Sequence, residues 1–329
     1  MRACSNAFNK DTTLLKDKTL LKRSARQNTS SPEGELEENR RESTTRAKQQ
    51  LTFWQSVHPR HFFLDAWRQI DVESVASREA RAAPQHFDWG PLITLACAAA
   101  FLSALHYFGM SGDFYRIRRD VYALFGTEAP RLGRFSKFGE LYGYLWWGAC
   151  CVSAYMLLPC LVLRLRKQRI MDYHLSIHGL REHFRVYLSF LAVMLPTVVV
   201  LSFGERFSSY YPFYSKASRS WFDFGVWELT YAAQFFALEF FFRGFLLQGC
   251  RKSMGSQAIF AAVVPYCMIH FGKPFLETIA AIIAGIILGT LAMRTRSIWG
   301  GFMVHVGVAL SMDTAAILQG PGLPTQLWP

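Results

Sequence analysis

From Gly90 to the C-terminus the chain alternates apolar blocks of about 15 to 24 residues with short polar loops. A run of roughly 20 apolar residues spans the hydrocarbon core of a bilayer as a helix. Lipid offers the backbone no hydrogen-bond partner, so each crossing segment must pair its own N–H and C=O groups. The pattern predicts an all-α, multi-pass transmembrane bundle of about seven spans, near residues 92–110, 141–163, 186–203, 224–247, 258–272, 275–293 and 298–318. The fifth is short and holds Pro265, which reads as a tilted or broken helix with its freed backbone groups satisfied by neighbours. Hydrophobic residues make up 51% of the 329, more than a soluble domain of this size usually carries.

The net charge of +12 raises the question of nucleic acid. The basic residues argue against it, because they cluster at the ends of apolar blocks, as the loops that set membrane topology do. Arg164 to Arg169, Arg251 with Lys252, and Arg294 with Arg296 follow the second, fourth and sixth spans. By the positive-inside rule these loops face the cytoplasm, and the N-terminus with them. The opposing loop pulls the other way with Arg116, Arg118, Arg119, Arg131, Arg134 and Lys137. The seven cysteines form no Cys-x-x-Cys, and all but one lie in or beside apolar blocks, as small packing residues. The first 50 residues lack the sustained apolar core of a secretory signal.

Three parts follow. Residues 1–88 form a polar N-terminal extension whose composition, typified by SSPEGELEENRREST, seldom builds a core. Within it, residues 51–70 carry Phe53, Trp54, Phe62, Phe63 and Trp67 among basic residues, the composition of an interfacial amphipathic helix or of a loosely ordered tail. Residues 89–174 hold the first transmembrane helices and residues 175–329 the core. The loops at 111–140 and 204–223 are aromatic and long enough to lie on the interface or cover a cavity. Ala281, Gly285 and Gly289 form a small-residue stripe for close helix packing.

Ionisable residues inside the spans are the functional signal, since each costs about 2.5 kcal/mol or more to insert and usually faces a cavity or a partner. Glu239 and Arg243 are four apart, on one helix face, and an intrahelical ion pair alone would explain both. Glu228 lies eleven residues earlier, near the same face or at the helix's interfacial end. His270 ends the short fifth span, where a lone histidine is more often a packing residue than a ligand. His305 sits well inside an apolar helix with no charge nearby in sequence, a stronger candidate. Asp313, eight residues on, lies about 80° around that helix. Glu277 stands in the first turn of the sixth span, where a carboxylate favours the positive end of the helix dipole. One Glu and two His on three helices, Glu239, His270 and His305, are the ligand set of a catalytic zinc with an open position for water. The same set works without metal if Glu acts as general base and His holds an oxyanion.

Residues about 175–318 resemble the CPBP intramembrane protease family, which holds the CAAX-prenyl proteases and bacteriocin-processing enzymes also called Abi proteins. The family pattern is Glu-Glu-x-x-x-Arg on one membrane helix, Phe-x-x-x-His on the next and His-x-x-x-Asn or Asp on a later one. Here it reads Glu239-Phe-Phe-Phe-Arg243-Gly244, then Tyr266-x-x-x-His270, then His305, with a Thr-Arg-Ser-Ile-Trp-Gly-Gly run before it. The resemblance implies a helical membrane fold around a conical cavity and hydrolysis of peptide bonds near a membrane-anchored segment. It carries Glu239, His270 and His305 over as catalytic or metal-site positions and Arg243 as their supporting cation. Three positions depart: Leu238 replaces the first Glu, the expected water activator; Ala309 replaces the Asn or Asp; Tyr266 replaces Phe.

The expected activity is that of an intramembrane endopeptidase, with zinc or with no metal. Its substrate would be a membrane-anchored protein or peptide, and its setting the lipid bilayer. Glu239 would activate water, His270 and His305 would bind metal or oxyanion, Arg243 would orient Glu239, and Glu277, Asp313 and Glu228 are accessory candidates. Leu238 and Ala309 motivate a rival, an inert pseudoprotease that binds membrane proteins. A proton-coupled transporter is the third reading, and the sequence shows no internal repeat to favour it.

Overall fold

The computed structural model describes residue 54 and residues 57–79, 88–129 and 136–329. Among these there is no strand, only an isolated antiparallel bridge between Leu175 and Ser297.

Helix α1 (residues 60–79) opens with a π-helical stretch, Arg60–Asp65, and continues as Ala66–Glu79. Phe62, Ala66, Ile70 and Ser74, each four residues on, form its buried face. Trp67 donates from Nε1 to Thr290 Oγ1 at 3.1 Å, and the Asp71 carboxylate accepts from the Ser256 backbone N–H at 2.7 Å. This part of the 1–88 extension is a helix docked on the bundle; residues 1–53 and 80–87 lie outside the described residues.

The other helices of eight residues or more are α2 (Trp89–Phe108), α3 (Asp113–Leu124), α4 (Gly139–Leu165), α5 (His178–Ser202), α6 (residues 221–254), α7 (Gln257–Met268), α8 (Phe275–Thr295) and α9 (Trp299–Gln319). Five helices are long and apolar enough to cross a membrane: α2, α4, α8, α9 and the His183–Ser202 part of α5. The expected spans at 224–247 and 258–272 fall on α6 and α7. Helix α7 has 12 residues, about 18 Å at 1.5 Å per residue, too short for a hydrocarbon core about 30 Å thick. It holds Pro265 and ends in turns that carry His270.

Helix α9 packs along α5, α7 along α8, and α6 along α4. Helix α6 is central, and Phe240, Phe241, Phe242 and Phe245 are all shielded, as expected of a helix apolar on every side. The predicted small-residue stripe works as packing: a Cβ on Gly285 would meet Val263 and Tyr266 of α7, and one on Gly289 would meet Ile259.

The basic loops gather at one end of the bundle. Glu73 of α1 pairs with Arg251 and, at 3.4 Å, with Arg296, and the Ser253 hydroxyl meets the Asp88 carboxylate at the start of α2. At the other end, Ser220 caps α6 by accepting from the Asp223 N–H at 3.1 Å. There the N–H groups of Trp221 and Phe222 donate to the carbonyls of Gln326 and Leu327.

Candidate active site

Glu239 ends the first α-helical part of α6, and Arg243 sits in the π-helical stretch that follows, Phe240–Leu246. π turns inside α-helices occur frequently at functional sites. Both side chains are buried, with Arg243 Nη1 3.2 Å from Glu239 Oε1. The contact is an ion pair without hydrogen-bond alignment, and the guanidinium lies 4.2 Å over the Tyr266 ring. The loop before α5 braces this stretch. His174 Nδ1 lies 2.7 Å from the Arg243 carbonyl oxygen, while the His174 carbonyl accepts from the Ile298 N–H at 2.8 Å. His174 lies outside the spans, and burial pulls its imidazole down to about 4 against the opposing effect of that backbone bond. It is therefore neutral, and its Nδ1–H must be the donor to the carbonyl.

His305 lies six residues into α9, facing Glu239 across the bundle. Its Nδ1 is 2.6 Å from Glu239 Oε1 and its Nε2 is 2.8 Å from the Tyr266 hydroxyl. A carboxylate only accepts, so the proton sits on Nδ1, and Nε2 accepts from the phenol. Phe235 stacks on the imidazole, centroids 5.5 Å apart at 18°, fixing the ring from one face. The side chain of His305 is 17% exposed and that of Glu239 not at all, so the imidazole is the member of the pair that solvent or substrate can reach.

Gly301, one turn before His305, is what lets α9 come this close. A Cβ there would stand 2.3 Å from Glu239 Oε2. Gly301→Ala is expected to displace the carboxylate, costing about 1–3 kcal/mol as overpacking does and weakening the His305 contact. Thermal unfolding in detergent beside a cleavage assay checks this; unchanged stability and rate would show that α9 has slack.

The remaining sequence-derived candidates separate. His270 places Nδ1 2.8 Å from the Tyr266 carbonyl oxygen, and among the described residues no hydrogen bond joins it to Glu239 or His305. Glu277, in the first turn of α8, receives Lys273 Nζ at 2.6 Å and the Tyr211 hydroxyl at 3.1 Å. Asp313 is buried and accepts from Trp227 Nε1 at 2.7 Å. Glu228, the residue after Trp227, is buried with both carboxyl oxygens lacking hydrogen-bond partners. Two of the three departures from the family pattern, Leu238 and Ala309, are buried in apolar clusters.

The donors expected to hold zinc do not fit a metal in this arrangement. Both ring nitrogens of His305 are engaged, Glu239 is paired with Arg243, and Nδ1 of His270 faces a backbone carbonyl. Among the described residues no three His, Cys, Asp or Glu side chains form a group that could hold a metal ion.

Residues 220–311 match the Rce1-like family, described as type II CAAX prenyl endopeptidase Rce1-like. This stretch, less than a third of the chain, is similar to that family. It contains Glu239, Arg243, Tyr266, His270 and His305, and agrees with the CAAX-protease resemblance drawn from the motifs. With five apolar helices of spanning length, the chain is an integral membrane protein. The comparisons with curated proteins and with solved structures returned no match.

Sequence reasoning passed over three residues of this neighbourhood. Tyr266 reads as a mild replacement of Phe until its hydroxyl is seen on His305. Trp227 and Gly301 carry no signal in isolation, because a glycine or tryptophan in a membrane helix is ordinary until its neighbour across the bundle is known.

Proposed function

We propose that the chain is an intramembrane endopeptidase that cleaves membrane-anchored proteins or peptides, with a Glu239–His305 dyad as its proton-handling centre. The observation that supports this most is the 2.6 Å contact between His305 Nδ1 and Glu239 Oε1, buried in the stretch similar to the Rce1-like family. In a dry site a carboxylate on Nδ1 fixes the tautomer and stabilises the imidazolium that forms when Nε2 takes a proton. His305 is thus the general base and Glu239 its orienting partner, a reassignment from the expected Glu239 base that follows from their relative exposure. Arg243 sets a positive charge 3.2 Å from Glu239 Oε1. His270, engaged with a carbonyl, is the candidate for contacting substrate at the edge of the site. The chemistry uses no step through a metal. On the positive-inside rule, the end that gathers Arg251, Arg296 and α1 faces the cytoplasm, and so does the N-terminus.

The test is cleavage of a membrane-anchored peptide in liposomes, read by mass spectrometry. His305→Ala is expected to lower the rate about a hundredfold or more with its unfolding transition retained. Cleavage at the wild-type rate by a folded His305→Ala protein would sink the reading. A wild type that binds peptide and never cuts it would favour the inert alternative, which the apolar Leu238 and Ala309 positions motivate.

A further inference from the structure

Tyr266 is buried on α7, its hydroxyl 2.8 Å from His305 Nε2, while His305 Nδ1 is 2.6 Å from Glu239. The Arg243 guanidinium lies 4.2 Å from the centroid of the same ring. Hydroxyl, imidazole and carboxylate are thus joined in one line with a cation over the phenol. A tyrosine serving only as packing would need no cation over its ring.

We propose that Tyr266, His305 and Glu239 form a proton relay in which the Tyr266 hydroxyl is the catalytic group that touches the attacking water. The position is Phe in the family pattern, so the relay is specific to chains that carry a hydroxyl here, and it fills the role left open by Leu238. The inference rests on the endopeptidase reading.

Each step balances. Water gives a proton to Tyr266 Oη as the phenol passes its own proton to His305 Nε2. The proton on Nδ1 stays on the Glu239 contact, and the hydroxide so formed bonds to the peptide carbonyl carbon. The carbon–nitrogen bond then breaks. The proton held on Nε2 returns through Oη to the leaving nitrogen, yielding a carboxyl group and an amine with Tyr266 and His305 restored. The Arg243 cation over the ring stabilises the negative charge that passes through the phenol oxygen. Neutral His305 has no second lone pair, so water cannot bond Nε2 while Tyr266 occupies it.

Tyr266→Phe removes one oxygen and leaves the ring, so the fold is expected to survive, which thermal unfolding checks. In liposomes with a membrane-anchored peptide, its kcat is expected to fall about a hundredfold with KM unchanged. Rates in water–deuterium oxide mixtures should curve for wild type, where two protons move together, and become linear in Tyr266→Phe. Independently of any substrate, 3-fluorotyrosine placed at 266 should show a fluorine resonance that shifts with His305→Ala and stays put with Arg164→Ala, a substitution at the exposed end of α4. A wild-type kcat in Tyr266→Phe, a linear wild-type isotope series, or a resonance indifferent to His305→Ala would each overturn the relay. Failure of the wild type to cleave any peptide would overturn the endopeptidase reading instead, and the fluorine result would still decide whether the hydroxyl is bonded to His305.

Discussion

Glu239→Gln is expected to lower kcat by about 10³–10⁴-fold while leaving the chain folded. The carboxylate does two things for His305: it accepts from Nδ1, which keeps the Nε2 lone pair available, and its charge stabilises the imidazolium. An amide removes the charge in either orientation. With its nitrogen toward His305 and Arg243, it turns a donor against two donors. With its oxygen there, the nitrogen takes the place of Oε2, which is buried without a partner and faces Gly301. Neither orientation restores the imidazole to its working state. The measurement is the steady-state rate in liposomes, with substrate affinity read separately. A rate within threefold of wild type would mean that Glu239 holds Arg243 in place and takes no part in proton transfer.

Arg243→Met is expected to destabilise the protein by about 3–5 kcal/mol. Methionine keeps most of the volume but leaves Glu239 as a buried anion facing a neutral imidazole. The pair has little net value over apolar groups of the same size, yet losing one partner exposes the full desolvation cost of the other. The double variant Arg243→Met, Glu239→Gln should therefore recover most of the loss. Unfolding of the four proteins in detergent forms a double-mutant cycle, and a coupling below about 0.5 kcal/mol would show that the 3.2 Å contact is not an energetic pair. Activity is not expected to return in the double variant, because the dyad needs the charge that was removed.

The roles of the candidate residues divide along a physical line. Glu239, Arg243 and His305 are conspicuous in the sequence because a charge or a histidine inside an apolar block is expensive and must be compensated. The Glu239–Arg243 pairing is local, four residues apart on one helix, so it is legible without a fold. The pairing of Glu239 with His305 spans 66 residues and depends on how close α9 approaches α6. That approach is set by Gly301, whose missing Cβ has no visible purpose until the carboxylate is placed against it. Glu277 shows the reverse. Its place in the first turn of a helix is read directly from the chain, and the structure adds only its partners, Lys273 and Tyr211.

The extension illustrates the same division. The aromatic and basic composition of residues 51–70 fits an interfacial amphipathic helix or a loosely ordered tail, and does not say what surface it lies against. The structure sets Phe62, Ala66 and Ile70 into the bundle and ties Glu73 to Arg251 near the end of α6 and to Arg296 just after α8. Composition records affinity for an apolar surface, and lipid and protein are both such surfaces.

By itself the sequence determined that this chain is a multi-pass helical membrane protein with a polar core, because the bilayer leaves a long apolar segment almost no alternative to a helix and makes each buried charge a signal. Only the tertiary structure decided which of those polar groups meet: His305 with Glu239 and Tyr266, His270 with a backbone carbonyl, Asp313 with Trp227. The physical reason is range. Hydropathy and helix periodicity are properties of neighbouring residues, whereas hydrogen bonds between helices depend on packing distances of a few ångströms, set by small and aromatic residues scattered across the chain.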